Sequence, residues 1–184
     1  HPWSLGGARM ALGSTLVSRG HLAEAVPVLE QGIAFSREMG ITAWLPMLFS
    51  ALGAARARGG HADEGVTLLE EGVARARALS IVSRQSLRLT WLAEAYLFAG
   101  RLDDARATVQ AAHRLAREHK EKAYEGWALR MSGELNADPA APLVVVRPTL
   151  AAVLDWARRA ADLAPGLLDV PLLVVVEVRL LLLG

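Results

Sequence analysis

A chain of 184 residues with a net charge of +1 carries no one-signed field to draw it to nucleic acid or to an acidic substrate. Its length is enough to bury a sizeable core. With no cysteine it can form neither a disulfide framework nor a thiolate metal site, which suits a cytoplasmic location.

The chain starts His1-Pro2, and no basic stretch followed by an apolar run marks a signal peptide. The expectation is an excised piece of a longer protein. Apolar residues three and four apart predict helices over 4–19 and 22–39, broken at Gly20 and closed at Gly40. A second pair is predicted over 42–58 and 62–79, turning at Gly59-Gly60, with Pro46 in a first turn where its missing N–H costs least. A third pair covers 82–99 and 102–119 around Gly100, and 122–136 opens a fourth. Acidic Glu24, Asp63, Glu64, Asp103 and Asp104 fall at starts of second helices. Arg37, Arg77, Arg114 and Arg117 fall toward their ends. Both placements complement the helix dipole.

A fourth second helix should begin near 141, yet Pro139, Pro142 and Pro148 interrupt it and Val144–Val146 is β-prone. Residues 149–163 read as a helix, stopped by Ala164-Pro165-Gly166. The apolar tail, 167–183, contains Pro171, Glu177 and Arg179 and falls short of the ~20 residues of a membrane span. It reads as a buried helix, a strand or a segment wanting a partner, and self-association through it is one expectation. Whether 139–184 is a native cap, an appendage or a reading-frame artefact stays open.

Shifting the chain by 40 residues superimposes these pairs. Leu12-Gly13 falls on Leu52-Gly53, Leu92-Ala93 and Ser132-Gly133; Gly20 falls on Gly60 and Gly100. Ala25, Gly65 and Ala105 make a small column in the second helix, Leu29, Leu69 and Val109 a large one, and Gly32, Gly72 and Ala112 close it. A fixed period of this size marks a helical solenoid, so the expected fold is all-α: an α-solenoid of helix hairpins with three full repeats and one partial over 4–138. Leu12, Leu52 and Leu92 are all expected to be buried.

These columns resemble the tetratricopeptide (TPR) pattern, and Leu92, Ala93, Tyr96, Gly100, Ala105, Val109 and Ala112 fit it best. The aromatic column holds Leu16 and Arg56 in the first two repeats, and the pattern's closing proline is missing. The period exceeds the usual one of about 34, so the helices should be longer by roughly one or two turns. WLAEAYLFAGRLDDA and GWALRMSGEL resemble repeats that follow the ATPase module of large bacterial signalling proteins, namely LuxR-type ATP-binding regulators and class III adenylate cyclases with a TPR tail.

Chemistry has no foothold. Gly6-Gly7 and Gly59-Gly60 are too short for a phosphate loop and lack its Lys, so no nucleotide cofactor is expected. His113 and His119 do not share a helical face, and His21 and His61 hold a turn position that accepts Arg101, so no metal is expected. Asp103-Asp104 is explained by the helix start, and no catalytic residue is assigned.

Binding remains. The TPR resemblance implies a concave groove lined by first helices. Its positions carry over to Met10, Ser14 and Val17; to Met47, Ser50 and Arg58; to Leu87, Thr90, Glu94, Leu97 and Phe98; and to Trp127, Arg130 and Glu134. Trp, Arg, Phe and Met suit hot spots and adaptable interfaces. For Leu87, Leu97 and Trp127 the competing reading is packing against the next repeat. The Lys/Asn pattern that grips a C-terminal carboxylate is absent. The expected function is a protein-interaction or regulatory module of a larger bacterial signalling protein, binding a protein or peptide partner or other domains of its parent. The alternatives are a sensor with a small apolar effector in the groove, and a fragment of a cyclase or ATPase whose catalytic part lies elsewhere. Neither nucleic acid nor a membrane is an expected partner.

Overall fold

The structure, a computed structural model, describes residues 1–136. They form α1 (Pro2–Ser18), α2 (Leu22–Glu38), a 3-10 turn (Thr42–Trp44), α3 (Leu45–Arg58), α4 (Ala62–Ala78), α5 (Gln85–Phe98), α6 (Leu102–Glu118) and α7 (Lys122–Asn136). The expected helix 149–163 and the apolar tail lie outside the described residues.

Six corners close in one way. Within each hairpin, Gly20, Gly60 and Gly100 take φ of 79°, 92° and 74°. The following residue then returns a bond five residues back: His21 N–H to Leu16 (2.9 Å), His61 to Arg56 (2.9 Å) and Arg101 to Tyr96 (2.8 Å). Left-handed backbone there satisfies carbonyls that a helix end leaves without partners. Between hairpins the same slot falls to Gly40, Ser80 and Lys120, the latter two at φ 54° and 58° despite their side chains.

The columns interlock. A Cβ on Gly53 would meet Leu69 Cγ at 2.8 Å, and one on Gly65 would meet Ala57 Cβ at 2.6 Å. Glycine there lets the axes of α3 and α4 come together, and Leu69 fills the gap with no exposed surface. Ala25, Leu29, Ala105, Val109 and Ala112 are likewise buried. First helices α1, α3, α5 and α7 pack side by side, while the second helices pack chiefly on first helices. The second helices therefore touch one another little.

Two expectations need correction. Leu52 and Leu92 are buried, but Leu12 in the same column is 52% exposed. Leu48, one turn before Leu52, packs on α2 at Gly32, so this face turns toward the preceding second helix, and none covers it on α1 among the described residues. Residues 82–84 are also not helical. Arg88 draws them away by donating to the carbonyls of Ser83 (2.7 Å) and Ile81 (3.2 Å), and Arg84 turns left-handed at φ 56°. Further back, Pro46 does sit in the first turn of α3. Gly6-Gly7 make room for Trp44, whose Cδ1 would lie 2.9 Å from a Cβ on Gly6.

Candidate binding face of the first-helix layer

Arg58, Glu94 and Arg130 stand on α3, α5 and α7, successive first helices, and are 36 residues apart, one helical turn less than the 40-residue period. Successive helices are offset by about that turn, so the three meet on a diagonal. Arg58 donates from Nε (2.9 Å) and Nη2 (2.7 Å) to Glu94 Oε2. Its Nη1 donates to the Val17 carbonyl of α1 at 3.1 Å. Arg130 Nη2 lies 3.8 Å from Glu94 Oε1, and its Nη1 donates to Glu134. One polar ladder thus ties all four first helices.

Burial grades along the ladder. The Glu94 side chain is 12% exposed and Arg58 22%, against 51% for Arg130 and 43% for Glu134. The inner pair is partly desolvated and held at one register; the outer pair is wet, and Arg130 retains donors for an incoming acceptor. Phe98 lies one turn beyond Glu94 on α5 and is 50% exposed. Trp127 is 37% exposed, with its ring 6.3 Å edge-on from Tyr124.

Eight of the sequence-derived groove residues offer surface: Met10, Arg58, Glu94, Leu97, Phe98, Trp127, Arg130 and Glu134. Ser14, Met47, Ser50 and Thr90 do not, being 9%, 5%, 0% and 3% exposed. Ser50 Oγ donates to Pro46 O (2.8 Å) and Thr90 Oγ1 to Ser86 O (2.9 Å), each spent within its own helix. Val17 and Leu87 are buried, and Leu97 is half-buried. The cause is crowding: α3 is flanked by α1, α2, α4 and α5, and 12 of its 14 residues are buried. A helix gripped on that many sides leaves only a narrow strip to a ligand.

Two polar clusters escaped the sequence reading. Arg88 is 2% exposed; besides Ile81 and Ser83 it reaches Gln85 Oε1 (2.9 Å) and Met47 Sδ (3.9 Å), and no carboxylate pairs with it among the described residues. Burial, then the nearby Arg84 charge, pulls its pKa down to about 10. Tyr96 donates to Glu70 Oε1 (2.7 Å) under Arg101, whose guanidinium sits 4.3 Å from the ring centroid. Burial, then that hydrogen bond, pushes the phenol up to about 12. Both clusters fasten helices together. A cleft of about 350 Å³ lined by Arg77, Ile81, Val82, Leu115 and His119 lies at the ends of α4 and α6, away from the ladder.

No family model matches the chain, and neither does any curated protein. Among solved structures it is similar to a crystal structure of kinesin light chain nearly identical TPR-like repeats from Podosopora anserina. The TM-score is 0.60 at 17% identity, covering 92% of this chain and 79% of that one. The fold is a TPR-like α-solenoid. At that identity the likeness speaks for the fold alone. Among the described residues of this solenoid, no helix is long and apolar enough to cross a membrane, and no three His, Asp or Glu side chains gather as a metal site.

Proposed function

We propose that this solenoid is a non-catalytic protein-interaction module that takes a peptide or helix of a partner on its first-helix layer. The observation that carries the reading is the ladder with its open end. Arg58–Glu94 holds the layer in register, while Arg130 and Trp127 on α7 and Phe98 on α5 leave a cation and two aromatic rings with exposed surface. Aromatic anchors and arginine are the side-chain types that dominate binding hot spots. On the sequence resemblance, the module is regulatory and belongs to a larger cytoplasmic bacterial signalling protein, where other domains of the parent are also candidate partners.

The test starts from peptides selected on the immobilised chain from a displayed random library. Their affinities are then measured for the wild type, Phe98→Ala and Arg130→Ala. At least a tenfold loss in one variant, about 1.4 kcal/mol, is expected. Affinities that neither substitution alters place the binding surface elsewhere.

A small apolar effector would bind differently. The cleft at Ile81, Val82 and Leu115 is apolar with Arg77 and His119 at hand, so that reading would move recognition away from the ladder. Val82→Glu would then abolish ligand binding and Arg130→Ala would not.

A further inference from the structure

Leu5, Ala8, Leu12 and Thr15 follow one another at three and four residues, forming one stripe along α1, and all four are exposed. Leu5 is 45% exposed and Leu12 52%. Forty residues on, the same stripe on α3 is Leu45, Leu48, Leu52 and Ala55, exposed by 4%, 0%, 6% and 1%. On α5 it includes Arg88, Leu92 and Ala95, and on α7 Ala128 and Leu135, all buried. What covers the stripe on α3 is visible at atomic contact: a Cβ on Gly32 of α2 would meet Leu48 Cδ2 at 2.8 Å. Helices α4 and α6 stand in the same relation to α5 and α7.

We propose that the outer face of α1 is a repeat-docking surface whose occupant is a further TPR-like hairpin, presenting its second helix as α2 presents itself to α3. The argument is continuity with an interface the molecule already builds three times. The stripe has the register of that interface and the Leu5 and Leu12 that match Leu45 and Leu52, and among the described residues nothing covers it. Ala8 stands where α3 has Leu48 and α7 has Ala128, so the small-side-chain version of the interface is represented too. An apolar stripe of this length beside exposed Trp3 is surface that repeat proteins cap or cover.

The chain has no cysteine, so a single thiol can report cover. Leu12→Cys is made in the chain itself and in a chain lengthened by a copy of residues 1–40 joined directly to His1, which keeps the 40-residue register. Labelling by a maleimide is expected near the free-thiol rate in the first and at least tenfold slower in the second. Leu52→Cys is slow in both. The lengthened chain should also melt several degrees higher, a gain that Leu12→Glu at the junction removes while leaving the unlengthened chain within about a degree. Unchanged labelling of Leu12→Cys in the lengthened chain overturns the proposal even if the melting temperature rises. Protection already present in the unlengthened chain overturns it: in favour of a second copy if sedimentation shows a dimer that Leu12→Glu dissociates, and in favour of cover by residues 137–184 if it shows a monomer.

Discussion

The α3–α4 crossing and the α3–α5–α7 seam solve one problem, holding two helices side by side, by opposite means. At the crossing, Gly53 and Gly65 bring the axes close and Leu69 fills the space left. Across the seam, the facing side chains include Arg58, Glu94 and Arg130, with carboxylate and guanidinium groups partly in water. Apolar contact gains free energy from every methylene removed from water. A partly solvated ion pair gains little, because both groups were already well solvated in the unfolded chain. The crossing is therefore where stability resides, and the seam fixes register and carries the proposed recognition.

The comparison is broken most directly at Leu69. Leu69→Ala leaves a void between α3 and α4 and is expected to cost about 2–5 kcal/mol by urea denaturation. Glu94→Ala strands Arg58 beside the Val17 carbonyl and is expected to cost about 1 kcal/mol, with the loss shrinking in high salt. If the two variants unfolded at the same denaturant midpoint, the division between crossing and seam would be wrong.

The crossing was legible in the sequence and the seam was not. Small and large columns repeat every 40 residues because each hairpin packs on itself, so Gly53, Gly65 and Leu69 announce their roles within one repeat. Arg58, Glu94 and Arg130 fall in different columns of that period, since the offset between successive helices brings them together. The TPR resemblance named all three as groove positions, but their pairing depended on the offset. Leu12 failed because its burial depends on a neighbour that lies outside its own repeat. Ser50 and Thr90 failed because one polar residue on a helix flanked on several sides can satisfy itself on the preceding turn. The start of α5 was hidden for a third reason: the buried Arg88 takes the carbonyls a longer helix would have used.

Tyr96 sharpens the contrast because it belongs to both kinds of contact, 8% exposed yet hydrogen-bonded to Glu70. Its pKa in the fold is about 12, against an ordinary value near 10. Folding therefore favours the neutral phenol. The stabilisation is complete below pH 10 and is lost as pH rises from 10 through 12. The melting temperature of the wild type should fall more steeply over that window than that of Tyr96→Phe, which has no phenol to ionise. Parallel curves would mean that burial and the Glu70 hydrogen bond do not together hold the phenol neutral.

The smallest effect expected lies at the corners, where neither crossing nor seam contributes. Gly40, Ser80 and Lys120 occupy one slot with φ of 65°, 54° and 58°. A Cβ in left-handed backbone crowds the following carbonyl oxygen, at roughly 1–2 kcal/mol, and glycine avoids the clash. Glycine also gains freedom in the unfolded chain, which offsets part of that relief. The capping bonds are made by the backbone: Ser80 N–H to Arg77 O (3.1 Å) and Ile81 N–H to Ala76 O (2.8 Å). Among the described residues the Ser80 side chain makes no hydrogen bond, so none is lost on substitution. Ser80→Gly is expected to stabilise the chain by about 0.5–1 kcal/mol, read as a higher denaturant midpoint at unchanged slope. Gly40→Ser should lose a similar amount. If Ser80→Gly instead destabilised the chain, the serine would be holding the α4–α5 connector through something other than its backbone. The late start of α5 would then need an account beyond Arg88.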